Sequence, residues 1–250
     1  INPEIVYITI GGANLVAILV GLLIAPGLLS KDTSLDRDLA TDEVALRNWR
    51  YGKWILAGSV VSWLVYLSNI PLIGILMDLE AAGIFRAVQN VTVPVDRILS
   101  GLSLLVVPVL SSKVVKTGIQ DVRKLSLRLS LAAFGASVVF LIILSIFRVQ
   151  VLEFVYGKQT YIDYAFLIPL IGTISVMNSI SFGFINGLRA TESSRQIFMA
   201  YLWGSIATFV FSIPGIYFFG LLGAVISQIG SIVLTTVILA WHWNMKTKSP

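Results

Sequence analysis

The 250 residues include no cysteine and one histidine, and Lys, Arg, Asp and Glu together make up only 12% of the chain. Without cysteine there can be no disulfide-stapled fold, no zinc–thiolate site and no thiol chemistry. A single histidine, His242, with thirteen carboxylates scattered along the chain, argues against a multi-histidine metal centre and against a Ser–His–Asp triad. Gly-rich nucleotide-binding loops are missing too, and no cofactor is expected. Apolar side chains are abundant instead. They make up 56% of the residues and raise the mean hydropathy to +0.88, against about 45–50% apolar residues in an ordinary soluble domain. The composition is that of an integral membrane protein.

Charge-free runs locate the spans, because about 20 apolar residues cross a bilayer core roughly 30 Å thick. The runs are Ile5–Ser30, Trp54–Met77, Leu129–Phe147, Tyr164–Leu188 and Gln196–Met245. The last is long enough to cross twice, and its turn is expected at Tyr217-Phe218-Phe219-Gly220, just after Pro214-Gly215. A further segment between Asp78 and Lys113 is apolar but carries Arg86, Asp96 and Arg97. It is read as one span with Pro94 bending it beside the Asp96-Arg97 pair, the alternative being two short re-entrant pieces. The expected fold class is therefore all-α, a polytopic transmembrane helix bundle of about seven spans.

The basic residues then give an orientation. One set of connections carries Lys31, Arg37, Arg47, Arg50, Lys53, Lys113, Lys116, Arg123, Lys124, Arg128, Arg189, Arg195, Lys246 and Lys248, whereas the other carries Arg148 and Lys158. By the positive-inside rule the first side is cytoplasmic, with the N-terminus outside and the C-terminus inside. The longest basic connection, Lys31–Lys53, is balanced by Asp32, Asp36, Asp38, Asp42 and Glu43. It is a mixed-charge linker without a field for phosphate, so no nucleic-acid partner is expected. The chain starts without Met and without signal-peptide features. The division expected is a closing helix of a missing N-terminal lobe over 1–30, a cytoplasmic linker over 31–53, a six-helix lobe over 54–245 and a tail over 246–250.

Two basic residues remain, Arg86 and Arg97, and both lie in the membrane. Ionisable groups at that depth cost about 2.5–3.5 kcal/mol each on insertion scales, so they call for a function. At 100° per residue Arg86, Asn90 and Arg97 fall within about 40° of one another, with Gln89 and Asp96 on the flank of that stripe. Asp96 has no cation at i±3 or i±4, so its partner must come from another helix, water or a ligand. Arg86, Asn90, Asp96 and Arg97 are read as the wall of a water-filled cavity for an anionic group, since guanidiniums suit bidentate capture of phosphate. Tyr66 and Asn69, with Ser62, form one polar face, and Asn178 and Asn186, with Ser175 and Phe182, form another. These four are candidate cavity-lining residues, though amides and hydroxyls also hold transmembrane helices together. Gly183 and Gly187 have the GxxxG spacing of a helix-packing position.

Several motifs occur in order along almost the whole chain: Trp49-Arg50-Tyr51-Gly52-Lys53-Trp54; Gly83-Ile84-Phe85-Arg86-Ala87-Val88-Gln89-Asn90 running to Val107-Pro108-Val109-Leu110-Ser111; Phe154-Val155-Tyr156-Gly157 followed by Tyr161; and Phe219-Gly220-Leu221-Leu222-Gly223-Ala224. Together they resemble the polysaccharide-export, O-antigen flippase-like branch of the multidrug/oligosaccharidyl-lipid/polysaccharide (MOP) flippase superfamily, in its C-terminal half. The resemblance implies a MATE-like transporter of two six-helix lobes around a central cavity. It also implies translocation of an undecaprenyl-pyrophosphate-linked oligosaccharide across a bacterial inner membrane, with Arg86 and Arg97 on the anionic head group. The implied partners are that substrate, membrane lipids, the N-terminal lobe and a polysaccharide polymerase. A multidrug antiporter of the same superfamily is the nearest alternative, and would favour acidic cavity residues. A membrane glycosyltransferase or ligase is the alternative among enzymes, and would need a large catalytic loop, whereas the longest outer loop expected runs about Arg148–Asp163. A non-catalytic seven-helix scaffold would need no charges in the membrane. A transporter rather than an enzyme is expected.

Overall fold

Within a bilayer each backbone polar group must be satisfied inside its own segment or by a neighbouring one, and helices accomplish this locally. The computed structural model describes residues 41–248, and these are helices joined by short turns. In chain order they are α1 (Thr41–Leu67), α2 (Asn69–Leu76), α3 (Leu79–Thr117), α4 (Ile119–Ile146), α5 (Arg148–Tyr156), α6 (Gln159–Ile162), α7 (Leu167–Ala190) and α8 (Ser194–Lys248). The expected span Ile5–Ser30 and the first part of the expected linker lie outside the described residues. The chain divides into units 1–49 and 50–250, and the site described below belongs wholly to the second.

Local chemistry sets the helix ends. The Asp78 carboxylate accepts from the Ala81 amide at 2.7 Å and so starts α3, and Gly118, with φ of 87°, ends it. Between them α3 runs for 39 residues with Pro94 and Pro108 inside. The re-entrant alternative is therefore replaced by one continuous helix. Gly220, with φ of 57° and ψ of −135°, breaks α8 where the aromatic cluster Tyr217-Phe218-Phe219 had located the turn, because only glycine adopts that conformation without strain. The span Trp54–Met77 is broken as well, into α1 and α2, with a 43° bend at Ser68.

Four of the described helices are long and apolar enough to cross a membrane, and the bent α1–α2 pair makes a fifth. The break at Gly220 splits α8 into 194–219 and 221–248, each longer than the about 20 residues a bilayer core requires. Residues 41–53, read from sequence as the end of a polar linker, already form the start of α1, and the expected tail is helical as far as Lys248. The expected outer loop Arg148–Asp163 is likewise folded, into α5 and α6, because Leu152 buries completely and the Tyr156 hydroxyl donates to Ala87 O of α3 at 3.1 Å.

Contacts fix the direction of each helix relative to α7. Ser175 meets Asp96 and Ala190 meets Ser111, rising together, so α3 is parallel to α7. Ser181 with Thr236, and Gly187 with Trp243, make 221–248 parallel to α7 as well. Gly183 and Gly172 meet Ser130 and Leu141 in reverse order, so α4 is antiparallel to α7. The same holds for α1, whose Tyr66 meets Asn178 and whose Tyr51 meets Arg189. Residues 204, 211 and 215 face 235, 227 and 223, so the two halves of α8 form an antiparallel hairpin.

Small residues permit these close approaches. A Cβ on Gly183 would collide with Ser126 O of α4, and one on Gly187 would stand 2.7 Å from the buried Trp243 ring. The GxxxG pair thus packs α7 on both sides. One consequence is electrostatic. Gln120 donates to Thr247 O at 2.8 Å and Arg123 to Asn244 at 3.2 Å, while Tyr51 reaches Arg189 O. The basic segments near 50–53, 113–128, 189–195 and 246–248 therefore gather at one end of the bundle, and α5–α6 and the Gly220 turn lie at the other.

Candidate functional site

A cavity of about 470 Å³ opens between α1, α3, α7 and α8. From α3 it takes Arg86, Gln89, Val93, Asp96, Arg97, Ser100 and Ser103, an i, i+3, i+4, i+7 progression that defines one helical face. Across from them stand Ser175, Asn178, Asn186 and Arg189 of α7, Tyr66 of α1, and Tyr201 and Gln228 of α8. The polar faces noted on α1 and α7 thus meet the charged face of α3 in one space.

Asp96 is the centre of its hydrogen bonding. Ser175 Oγ donates to Oδ2 at 2.8 Å and Asn178 Nδ2 donates to Oδ1 at 3.3 Å. The other end of the Asn178 amide accepts from the Tyr66 hydroxyl at 3.1 Å, so both of its polar atoms are used and its orientation is set. The carboxylate is thus held by neutral donors of a neighbouring helix, as the lack of a cation along its own helix required. Its sequence neighbour Arg97 projects elsewhere on the same wall.

Arg97 is exposed to the cavity and Arg86, half-buried, donates to Gln89 Oε1 at 3.0 Å on its own helix. Arg189, counted above among the basic loop residues, lies in the last turn of α7 and lines the cavity too. The cavity wall therefore has three arginines and one aspartate. They are spread along it: Arg86 and Arg97 are separated by about 16 Å of helix rise, and the pairing of Ser111 with Ala190 puts Arg189 about 20 Å further along. Anion capture at successive depths is the chemistry such a wall can perform.

Two sequence candidates do not line the cavity. Asn90 is exposed and does not line the cavity: the lining arc is centred near Gln89 and Asp96, with Arg86 and Arg97 at its edge and Asn90 just past them, about 100° round the helix from Gln89. The cavity-facing stripe is the flank of Gln89 and Asp96 together with the arginines, continued by Ser100 and Ser103. Asn69 is fully buried and donates to Ala224 O at 3.3 Å, so it joins α2 to α8. Of the others, Tyr66, Asn178 and Asn186 do line it, Asn186 with its amide turned to Phe182 O at 2.9 Å. Sequence reading missed Arg189, Tyr201 and Gln228. The spacing of Arg189 three residues after Asn186 on the polar face of α7 was the available signal; Tyr201 heads Ser205, Thr208 and Ser212 at helical spacing and Gln228 stands beside Ser227, but hydroxyl residues in such runs also pack helices together, so neither stood out.

No protein-family model and no curated protein matches the sequence. Solved structures do. One is an outward-facing multidrug resistance MATE family transporter of the MOP superfamily, superposing with a TM-score of 0.60 at 17% identity over 80% of this chain and 45% of its own. The chain shares the fold of part of that structure. A second structure, a MOP superfamily transporter from Pyrococcus furiosus whose reversed binding-pocket polarity suggests a different function for it, gives 0.61 at 17% identity over 80% and 44%. The chain thus spans less than half the length of these MOP structures. The all-α membrane bundle expected from composition is the observed class.

Proposed function

We propose that this chain is part of a transporter that moves an anionic, lipid-linked oligosaccharide across a bacterial inner membrane, the polyprenyl-pyrophosphate group being held by cavity arginines. The observation that carries this reading is the balance of charge on the wall. Three arginines face one carboxylate, and that carboxylate already accepts from Ser175 and Asn178. The uncompensated charge is therefore cationic, which favours phosphate and disfavours the cationic drugs that an acidic cavity would take. Arg86, Arg97 and Arg189, spaced along the wall, would receive the head group in turn while sugars remain in the wet cavity and the lipid tail in the bilayer.

In this reading the basic end of the bundle faces the cytoplasm and a second lobe completes the cavity. A polysaccharide polymerase would take the product on the outer face. The test is Arg97→Ala in the full-length protein of a cell that depends on it for surface polysaccharide. Loss of polysaccharide with unchanged protein in the membrane is expected; normal polysaccharide overturns the proposal. A multidrug antiporter is the second reading, favoured by the multidrug transporter among the matching structures and by the Tyr66 and Tyr201 rings on the wall. Export of a cationic dye that survives Arg97→Ala would select it.

A further inference from the structure

A second cavity, of about 410 Å³, lies between the two halves of α8. Met199 and Trp203 form one side of it, and Leu234, Ile238, Trp241 and His242 the other. Tyr201, which lines the arginine cavity, is about 180° round its helix from Met199 and Trp203, so the two cavities stand back to back across one helix. Apart from the imidazole of His242 the lining is aliphatic, thioether or indole, and both tryptophans are more than half exposed. In a membrane-spanning hairpin that exposed surface faces lipid.

Depth and charge both give this trough a direction. Counted from the turn at Gly220, Leu234 stands about 21 Å along its helix, Trp203 about 26 Å and His242 about 33 Å. The trough therefore runs from the acyl region to the interface at the basic end of the bundle, the level at which indole rings prefer to sit. Lys246 follows His242 by one turn and Lys248 follows Trp241 by two, on the same faces of the helix, and both are exposed. Arg195, one turn before Met199, has its guanidinium over the Trp54 ring at 5.6 Å, so its charge is directed toward α1. Arg123 of α4 adds a cation at the same end through its bond to Asn244. From Ser193 to Pro250 there is no Asp or Glu.

An apolar trough that ends in cations and holds no carboxylate matches the layout of a phospholipid with a net negative head group. We propose that the α8 hairpin binds one anionic phospholipid from the leaflet on its basic side, with an acyl chain between Trp203, Leu234 and Ile238 and the phosphate at the level of His242 and Lys246. A zwitterionic lipid fills the trough equally well but brings its own cation to the lysines. A second copy of this chain, docking through the same face, brings like charges and no acid. The lipid fastens the two halves of α8 at the end opposite Gly220, where no turn joins them, and the reverse of that hairpin carries Tyr201 and Gln228 of the arginine cavity. The proposal holds whatever the cargo is.

The experiment is thermal unfolding of the purified, delipidated full-length protein in detergent, titrated with phosphatidylglycerol or with phosphatidylcholine of the same acyl chains. A saturable rise in Tm of about 2–8 °C with phosphatidylglycerol is expected, with half-saturation by phosphatidylcholine weaker by about tenfold or more. Ile238→Trp fills the trough and should abolish the rise. Lys246→Gln combined with Lys248→Gln changes only exposed side chains and should raise the half-saturating phosphatidylglycerol about tenfold or more, which keeps the test decisive should the tryptophan variant fail to fold. Arg97→Ala should leave the rise intact, since that arginine belongs to the other cavity. Equal half-saturation by the two lipids, a rise unchanged by the paired lysine variant, or a rise lost in Arg97→Ala overturns the proposal. A dimer of the lipid-free protein that Ile238→Trp dissolves and phosphatidylglycerol does not gives the trough to a second copy, and overturns it as well.

Discussion

Asn178 Nδ2 donates to the Asp96 carboxylate at 3.3 Å across the α3–α7 contact. The bond ties the one acidic group of the cavity wall to a neighbouring helix rather than to Arg97. The same amide accepts from Tyr66, so three helices meet through one side chain.

Asn178→Leu should therefore cost more than Tyr66→Phe. The first strips a donor from a carboxylate and an acceptor from a hydroxyl, a loss of about 1–3 kcal/mol; the second removes one neutral bond, about 0.5–1.5 kcal/mol. Denaturation of the purified protein in detergent measures both, and equal losses would contradict the arrangement.

Glycine positions separate sharply. Gly183→Ala drives a methyl group into Ser126 O, whereas Gly135, in α4, has nothing within 4 Å of an added Cβ. Gly183→Ala should lower stability by about 2 kcal/mol or more, and Gly135→Ala should raise it by up to about 1 kcal/mol through helix propensity. Tm of the two variants checks the signs.

Arg189 was expected to be a loop charge and is a wall residue instead. On the proposed function, Arg189→Gln in the full-length protein should reduce transport about tenfold or more, the loss of one charge-assisted bond. Lys113→Gln, outside the cavity lining, should leave the rate unchanged. A flux or surface-polysaccharide assay distinguishes them, and equal effects would return Arg189 to the loop.

The absence of native cysteine makes orientation directly testable. Single variants Lys116→Cys and Thr191→Cys should react with a membrane-impermeant thiol reagent from the same face, and Lys158→Cys only from the opposite one. A paired Ser111→Cys and Ala190→Cys variant should cross-link within one chain, because these residues touch where α3 and α7 run parallel.

Membrane class, the approximate places of the spans among the described residues, the turn at Gly220 and the separation of basic segments were legible in the sequence. Each depends on local quantities: the length of a charge-free run, a glycine beside aromatics, the count of Lys and Arg per connection. The sequence also determined that Asp96 needed a partner beyond its own helix. Only the tertiary structure decided which partner, because Ser175 and Asn178 reach it through the parallel register of α3 and α7. It also decided how far each helix is rotated about its axis. That rotation turned Gln89 toward the cavity and Asn90 away, buried Asn69 against Ala224 and brought Arg189 onto the wall. Helical periodicity specifies which residues share a face, but the direction of that face depends on the shapes it meets, here the bare backbone of Gly183 and Gly187 against α4 and Trp243.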